Sequence, residues 1–407
     1  MTKRRWGLCL ILASGSIAGC SPALSPMTPR MLVNPPTTPS LCAAVAHEKP
    51  CFSSQPAPTT TPTLAVTTLG SVAFSDPLHG WAVGSDCKDT CAVEVAATVD
   101  GGAVWGAPQH VGSVSPQLEQ SVAAVGVRFA GRNGWIFGPG IFETHDSGRS
   151  WKQTMTTTVI ALEPDGNSVW AVEDCSPRPC QSTLIVSQSV ADTWQAASSQ
   201  PPLAETGGDP QTPGIVLERA PHGVAFLAAP TADRQQGLYA SHDIGKSWRT
   251  LSAPCDDIVS VRSIDAVHVW VLCSTPCCTG NYIKALFASG NGGISWKEEA
   301  ATDPNFTGTI PFYGQALALV VTSPSVGLFG ASGEAGIWRS TDTGSTWRPV
   351  FSDACVEGGN DISEIWFVDP LHGWANAGLS VDSECPSLLR TVDGGQTWTP
   401  LRAPFGA

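Results

Sequence analysis

Cysteine is the residue type in this chain that offers the clearest chemistry. The sequence has 407 residues, of which 14 are cysteine. A cysteine sulfur can carry a lipid, can oxidise to a disulfide, or can bind a metal ion as a thiolate. Beyond residue 20 the cysteines are Cys42, Cys51, Cys87, Cys91, Cys175, Cys180, Cys255, Cys273, Cys277, Cys278, Cys355 and Cys385. Which chemistry applies depends on the compartment, and the N-terminal residues indicate it.

The first 20 residues resemble a bacterial lipoprotein signal. Lys3, Arg4 and Arg5 precede an apolar stretch that is too short to span a membrane. The residues from Ile17 to Cys20 resemble a lipobox, in which the signal is cut before the cysteine and the sulfur carries a diacylglycerol. An ordinary secretory signal, with Cys20 incidental, is the alternative. We expect residues 1–19 to be a signal peptide and Cys20 to anchor an extracytoplasmic protein to a membrane of the cell envelope.

Export favours disulfides for the twelve remaining cysteines, which are an even number. A metal site formed by the four cysteines between 255 and 278 is the alternative. The bonds we expect are Cys87–Cys91, Cys175–Cys180 and Cys355–Cys385, with Cys255 joined to one of Cys273, Cys277 and Cys278 and the other two joined to each other. Cys42 and Cys51 could close a small loop.

The cysteines lie in two regions of the chain that differ in composition. Residues 20–63 are rich in Pro, Thr and Ser and cannot bury enough apolar surface to fold, so we expect a disordered tether. Residues 64–407 consist of short apolar runs broken by Gly, Pro, Asn and Asp, without sustained helical periodicity. This pattern predicts one all-β domain.

An eight-residue motif recurs seven times in this domain, at intervals of roughly 50 residues. Its pattern is Ser/Thr-x-Asp-x-Gly-x-Ser/Thr-Trp, and Ser340 to Trp347 is a complete copy. The copy at 187–194 is eroded, with Ser189 and Ala191 in place of Asp and Gly. The defining residues of the other six copies are Asp100, Gly102, Trp105, Asp146, Gly148, Trp151, Asp243, Gly245, Trp248, Asn291, Gly293, Trp296, Asp342, Gly344, Trp347, Asp393, Gly395 and Trp398. Such a period is typical of propeller blades.

Each copy of the motif lies between two β-prone runs, which predicts a hairpin turn. There the Asp would accept backbone hydrogen bonds, the Gly would supply a positive φ, and the Trp would pack against its neighbours. The motif resembles the Asp-box, or bacterial neuraminidase repeat. That resemblance implies a turn between the third and fourth strands of a blade, away from the ligand-binding face. We therefore expect the box residues to be structural.

A second repeated unit precedes the boxes. The residues 74–82, which begin with Phe74 and Asp76 and include His79, return almost unchanged at 367–375. Each repeat is then predicted to contain four strands, which in the first repeat lie near residues 71–74, 80–84, 93–98 and 104–111. The sequence predicts a seven-bladed propeller with four-stranded blades, in which His79 and His372 belong to turns. Residues 74–84 with 98–105 resemble the photosystem II assembly and stability factor family, which implies a lumenal or periplasmic setting.

Composition excludes several classes of partner. The formal net charge is −13, which argues against binding to nucleic acid or to anionic lipid surfaces. Neither a phosphate-binding loop nor a dinucleotide fingerprint occurs in the sequence, so we expect no cofactor. No metal-binding motif of the His-Glu-x-x-His type is present either, so we expect no metal beyond the cysteine alternative given above.

Because Asp boxes occur in sialidases, an enzymatic function has to be considered. The sialidase resemblance would require an arginine triad, a tyrosine nucleophile and an Arg-Ile-Pro motif, and the last is absent. The tyrosines are Tyr239, Tyr282 and Tyr313, and Tyr239 directly precedes a box. Glucan-cleaving relatives use paired acids. Asp86, Glu173 and Glu357 are candidates, but acids in solvated loops are common.

We therefore predict a monomeric, non-catalytic propeller that binds another envelope protein or a glycan. In a blade, the loops between strands 2 and 3 share one face with the connections into strand 1. Ten cysteines, from Cys87 to Cys385, map to those segments, opposite the boxes. We expect this disulfide-bearing face to bind the partner. A glycoside hydrolase of the Asp-box class is the alternative function.

Overall fold

The computed structural model describes residues 68–405, with gaps at 88–89, 115–124, 166, 175–179, 204, 207–213, 232–234, 279–280, 303–308, 311–313, 333–335, 353–360 and 378–386. The chain divides into two units, residues 1–62 and 63–407. The predicted signal peptide, Cys20, the tether and its cysteines Cys42 and Cys51 lie outside the described residues. In the part that is described, no helix is long and apolar enough to cross a membrane.

The second unit consists of seven antiparallel sheets of four strands each, which confirms the predicted seven-bladed β-propeller. Blades 1 and 2 contain β1 (Thr68–Phe74), β2 (Gly80–Cys87), β3 (Cys91–Thr98), β4 (Gln109–Val114), β5 (Gly126–Ala130), β6 (Asn133–Phe137), β7 (Ile141–Thr144) and β8 (Lys152–Met155). Blade 3 contains β9 (Val159–Asp165), β10 (Ser168–Glu173), β12 (Thr183–Gln188) and β13 (Gln195–Ala196), while β11 (Cys180–Gln181) and β14 (Glu205–Thr206) form a separate two-stranded sheet.

The remaining blades follow the same order. Blades 4 and 5 contain β15 (Val216–Ala220), β16 (Val224–Pro230), β17 (Gln236–Ser241), β18 (Arg249–Leu251), β19 (Ile258–Ser263), β20 (Val269–Cys278), β21 (Asn281–Ser289) and β22 (Lys297–Ala301). Blades 6 and 7 contain β23 (Ala316–Ser323), β24 (Val326–Ala331), β25 (Gly336–Ser340), β26 (Arg348–Ser352), β27 (Glu364–Phe367), β28 (Gly373–Asn376), β29 (Leu388–Thr391) and β30 (Thr399–Leu401). Pro221–Gly223 forms a 3-10 turn between β15 and β16.

Up-and-down order within a blade gives the domain two faces. Turns from the first to the second strand and from the third to the fourth strand lie on one face, which we call the Asp-box face. Loops from the second to the third strand, and the connections between blades, lie on the other, which we call the disulfide face. The first strands of successive blades contact one another, so they surround the central axis.

The core lies between the blades. The second strand is covered on both sides, and in β16 all seven residues are buried. This explains its continuous apolar sequence, since alternation is expected only where one side faces water. Ring stacking joins blades directly: Trp81 of blade 1 stacks on Phe129 of blade 2, with ring centroids 3.6 Å apart. Phe74 of blade 1 stacks on Trp374 of blade 7 in the same way, at 3.7 Å.

The fourth strand of blade 1 begins later than predicted, at Gln109 rather than near residue 104. Asp100 Oδ1 accepts a hydrogen bond from the Val104 N–H, and the Gly106 N–H donates to the Ala97 carbonyl oxygen. These bonds hold the chain in the turn beyond the box, so pairing with β3 starts only after the turn is complete.

Candidate functional site

Six Asp boxes form closely similar turns between the third and fourth strands. The leading Ser or Thr hydroxyl donates to the Asp or Asn side-chain oxygen at 2.8–2.9 Å in every case. The same hydroxyl accepts the N–H of the box glycine at 2.8–3.1 Å. In blade 4 the hydroxyl and N–H of Ser247 bond the Asp243 carboxylate and lower its pKa to about 2.

The boxes also connect one blade to the next. Trp81 Nε1 in blade 1 donates to the carbonyl oxygen of Ser147 in the box of blade 2, at 3.1 Å. Trp374 Nε1 in blade 7 donates to the carbonyl oxygen of Gly101 in the box of blade 1, at 3.0 Å. In these two boxes the backbone is therefore an acceptor for the preceding blade, a role that the sequence motif does not reveal.

The histidines of the repeated turn on the Asp-box face are bound by neighbouring carboxylates. His79 Nδ1 lies 2.9 Å from Asp76 Oδ2, and the N–H groups of Leu78 and His79 donate to Asp76 Oδ1. His372 and Asp369 repeat this arrangement in blade 7. These contacts lie within one turn, so they give both histidines a role in holding that turn.

The eroded box of blade 3 is connected to blade 2 through side chains. Asp192 Oδ1 lies 3.0 Å from His145 Nε2, and Lys152 Nζ donates to Asp192 Oδ2 at 2.6 Å. The buried Glu143 carboxylate accepts hydrogen bonds from the indole of Trp135 and from two further donors, Trp194 Nε1 at 2.7 Å and Thr154 Oγ1 at 2.6 Å. Sequence reasoning missed this cluster because it joins residues of two repeats.

Glu143, His145 and Asp192 offer ligand atoms within 4.8 Å of one another, a spacing compatible with a metal ion. Their present partners argue for a different role. The Lys152 ammonium group is bonded to the Asp192 carboxylate, and the Glu143 carboxylate already accepts hydrogen bonds from three donors. Burial raises the pKa of Glu143, although these donors act in the opposite direction. The arrangement holds Trp194 of blade 3 against blade 2.

A second cluster surrounds the central axis. Four charged residues occupy one register position on the first strands of blades 2 to 5, opposite the large aromatic residue of the second strand. They are Arg128, Glu163, Glu218 and Arg262. Each lies seven or eight residues before that aromatic residue in the sequence, a signal that could have revealed them.

Arg128 connects three blades at this level. Its Nη1 donates to Glu364 Oε1 in blade 7 at 2.9 Å, and its Nε lies 3.5 Å from Glu163 Oε1 in blade 3. Ser71 Oγ in blade 1 donates to Glu364 Oε2 at 2.9 Å. Burial alone would lower the pKa of Arg128, but the Glu364 and Glu163 carboxylates raise it above its ordinary value. Because blade 1 separates blades 2 and 7, this network lies close to the axis.

Arg262 and Glu218 continue the network in blades 4 and 5. Arg262 Nη1 donates to Glu218 Oε2 at 3.0 Å, and the Ser263 N–H donates to Glu218 Oε1 at 2.9 Å. Burial raises the pKa of Glu218 to about 7, although Arg262 favours the ionised form. With Glu364, the cluster therefore combines three carboxylates with two guanidinium groups, and these groups are paired with one another.

The disulfide face carries the described disulfide. Cys255, in the connection into blade 5, is bonded to Cys273 on β20, with Cα atoms 6.4 Å apart. Cys91 and Cys180 are also disulfide-bonded, and the backbone register places Cys87 opposite Cys91. Cys277 is exposed at the end of β20. The other predicted pairings stay predictions, because Cys175, Cys355, Cys385 and the side chains of Cys87 and Cys278 lie outside the described residues.

The candidate catalytic residues are not brought together in the described part of the chain. Asp86 lies on β2 of blade 1 and Glu173 on β10 of blade 3, while Glu357 and Tyr313 fall outside the described residues. Tyr239 is buried, and its hydroxyl donates to the Pro202 carbonyl oxygen at 3.3 Å. Tyr282 lies on β21, near the loop between the second and third strands of blade 5.

Fold and boxes together define the class: this is a seven-bladed Asp-box β-propeller. The family model described as photosynthesis system II assembly factor YCF48 matches residues 58–203, which confirms the predicted resemblance. The chain is 33% identical over 95 residues to photosystem II assembly lipoprotein Ycf48 of Synechococcus sp. (strain CC9902), covering 23% of this chain and 26% of that protein. It is 26% identical over 202 residues to a xyloglucanase of Paenibacillus sp., covering 40% of this chain and 20% of that protein.

Among solved structures, YCF48 bound to a D1 peptide is similar to this chain. The likeness has a TM-score of 0.54 and 19% identity, and covers 81% of this chain and 94% of that one. At 19% identity, this likeness shows that the two chains share a fold and shows nothing further. The curated relatives are matched over about a quarter of their own length or less.

Proposed function

We propose that this chain is an exported, membrane-anchored, non-catalytic propeller that binds another envelope protein through its disulfide face and serves as an assembly scaffold. The observation that carries the proposal is the placement of the described disulfide-bonded cysteines. Cys91, Cys180 and the Cys255–Cys273 bond all lie on that one face. Bonds that restrict loops in advance reduce the entropy lost on binding, and a rigid scaffold positions such loops for recognition.

The similarity to YCF48 supports a polypeptide as the class of partner. That protein has been solved with a D1 peptide, and we carry over only the class, an extended segment of another protein. The negative charge of this chain, −13 in total, fits a partner segment with basic residues. A glycan remains the second class of partner that the fold accommodates.

Anchoring through Cys20 is the part of the proposal that rests on the N-terminal residues. Replacing Cys20 with Ser removes the sulfur that would carry the lipid, so Cys20→Ser should release the protein to the soluble fraction or leave it unprocessed. A variant that fractionates and migrates like the wild type would contradict the lipobox.

An experiment on the described disulfide separates binding from stability. The tagged full chain would be used to capture its partner from the organism's own envelope, and the captured protein would be identified. The double variant Cys255→Ser/Cys273→Ser should then lose capture at a temperature where circular dichroism shows that it is still folded. If the disulfides only stabilise the loops, the folded variant will capture as well as the wild type.

Glycoside hydrolysis is the second candidate, favoured by the similarity to a xyloglucanase. It predicts turnover of xyloglucan, or of a fluorogenic sialoside, that is lost when one carboxylate is replaced. We expect no turnover of either substrate by the purified protein. In the described residues of the central cluster, Glu364 and Glu218 are bonded to arginine, an arrangement suited to charge pairing.

A further inference from the structure

The seam between blades 3 and 4 contains a cleft of about 460 Å³ that none of the roles described above uses. It lies on the Asp-box face, where the eroded box of blade 3 meets the box of blade 4. Its walls include Ser168, Trp170, Gln188, Trp194 and Ile244. The volume falls in the range of about 300–1,000 Å³ that is usual for sites of small ligands.

The cleft lies at a seam that lacks a contact found at two other seams. Trp81 and Trp374 each donate an indole hydrogen bond to the carbonyl oxygen of the fourth residue of the next box, in these cases Ser147 and Gly101. The corresponding pair in blades 3 and 4 is Trp170 and Ile244. Among the described residues no such bond joins them, and both line the cleft instead. Trp170 is itself buried, and its ring centroid lies 6.0 Å from that of Trp248, so this ring still packs against blade 4.

The side chains that line the cleft indicate which chemical class of ligand it would bind. Every residue that lines the cleft is uncharged, with indole, hydroxyl and amide groups beside a few aliphatic ones. A phosphate or carboxylate ligand would meet no cation in the cleft, and a cationic ligand would meet no carboxylate. The residues suit a neutral molecule that has both an apolar surface and many hydroxyl groups.

The two tryptophans of the cleft, Trp170 and Trp194, differ in how their rings are held by neighbouring side chains. The guanidinium of Arg219 lies over the ring of Trp170 at 4.2 Å, so one face of that indole is covered. Trp194 is half-buried, and its indole nitrogen is held by Glu143 at 2.7 Å. A ring fixed in this way loses little freedom when a ligand stacks on it. Amide side chains of Gln188 and Gln195, both exposed, stand beside it as donors and acceptors.

We propose that this cleft binds a neutral carbohydrate without cleaving it. A hexose has an apolar C–H face that can stack on Trp194 and a rim of hydroxyls that can bond glutamine amides. Hydrolysis would need a pair of carboxyl groups flanking the glycosidic bond, and the lining contains none. The site is separate from the disulfide face, so it neither requires nor excludes the proposed binding of an envelope protein.

The test uses the purified chain with cellotetraose and chitotetraose as probes and saturation-transfer difference NMR as the measurement. We expect transfer to the ring protons of at least one sugar. Thr193→Trp places a bulky ring at an exposed position of the cleft and should abolish the transfer. Val104→Trp is the matched control, since Val104 holds the same box position in blade 1 and is 68% exposed.

A second variant weakens the site without threatening the fold. Ile244 has a φ of 60°, a conformation in which boxes 1, 5 and 7 carry glycine, so Ile244→Gly should fold at least as well as the wild type. It removes an apolar wall and should weaken sugar binding several-fold, whereas Thr343→Gly, the equivalent change in blade 6, should not. No transfer to either sugar, transfer that Thr193→Trp leaves unchanged, or transfer only to an uncharged proline-rich peptide would each overturn the proposal.

Discussion

The indole nitrogen of Trp374 in the last blade donates a hydrogen bond, 3.0 Å long, to the carbonyl oxygen of Gly101 in the first blade. The two residues are 273 positions apart in the sequence. The same indole stacks on Phe74, with ring centroids 3.7 Å apart. One side chain thus makes both a polar and an apolar contact across the seam where the ring of blades closes.

Trp374→Phe keeps most of the ring but removes the closing hydrogen bond. The buried Gly101 carbonyl would lose its donor, so we expect the free energy of unfolding to fall by about 1–2 kcal/mol, measured by urea denaturation. Trp338→Phe is the control, because in the described residues the buried Trp338 Nε1 has no acceptor. Equal losses in the two variants would show that ring volume, and not the hydrogen bond, matters at the seam.

The Asp boxes should act through stability. Asp342 accepts hydrogen bonds from the Thr346 N–H, the Thr346 hydroxyl and the Ser340 hydroxyl, at 2.9, 2.6 and 2.8 Å. Asp342→Ala removes all three acceptors and should cost about 1–2 kcal/mol in unfolding free energy.

Asp342→Asn provides the comparison, since Asn291 fills this position in blade 5 and makes the corresponding bonds to Ser289 and Ser295. The Asn variant should therefore lose less stability than the Ala variant. Loss of partner capture by Asp342→Ala, with thermal unfolding unchanged, would contradict a purely structural role.

Glu218 should make stability depend on pH. Its pKa in the folded protein is raised to about 7 from its ordinary value of 4.5, so the folded state holds the proton more tightly than the unfolded state does. The contribution is fully present below pH 4.5 and is lost as pH rises through 7. We expect a loss on the order of 2 kcal/mol between pH 4.5 and 8 in urea denaturation of the wild type.

Glu218→Gln removes this ionisation while preserving the shape of the side chain. Its unfolding free energy should fall less over the same pH range. Parallel pH profiles of the two proteins would show that Glu218 does not carry the raised pKa.

The Cys255–Cys273 bond closes a segment with a sequence separation of 18 residues. In the chain-entropy model a loop of this length stabilises the folded state by about 3 kcal/mol. Cys255→Ser/Cys273→Ser should lower the midpoint of thermal unfolding accordingly. The difference from the wild type should shrink when both proteins are reduced before heating, and a difference that persists after reduction would point to the buried Cys273 side chain instead.

The sequence predicted the blades and the boxes because both depend on local signals. A box is held by hydrogen bonds within five residues, as between Ser340 and Gly344, so its pattern is complete in one short segment. The second strand of each blade could be predicted equally well, because burial on both sides gives a continuous apolar run in the sequence, such as that of β16.

The central cluster and the blade 2–3 network were not predicted, and the reason is physical. Arg128 and Glu364 are 236 residues apart, and only closure of the ring brings them to 2.9 Å. Trp194 looked like the remnant of an eroded box, yet its indole bonds Glu143 in the preceding blade. Such contacts depend on the relative position of blades, which repeat spacing alone does not specify.

Site-specific photo-crosslinking tests most directly whether the disulfide face binds the partner. A photoreactive amino acid would replace Thr275, exposed beside Cys273 on β20, or Ile294, 61% exposed in the box of the same blade on the opposite face. Irradiation in the intact envelope should then join a partner protein to the Thr275 variant and not to the Ile294 variant. Adducts from Ile294 with none from Thr275 would contradict the account.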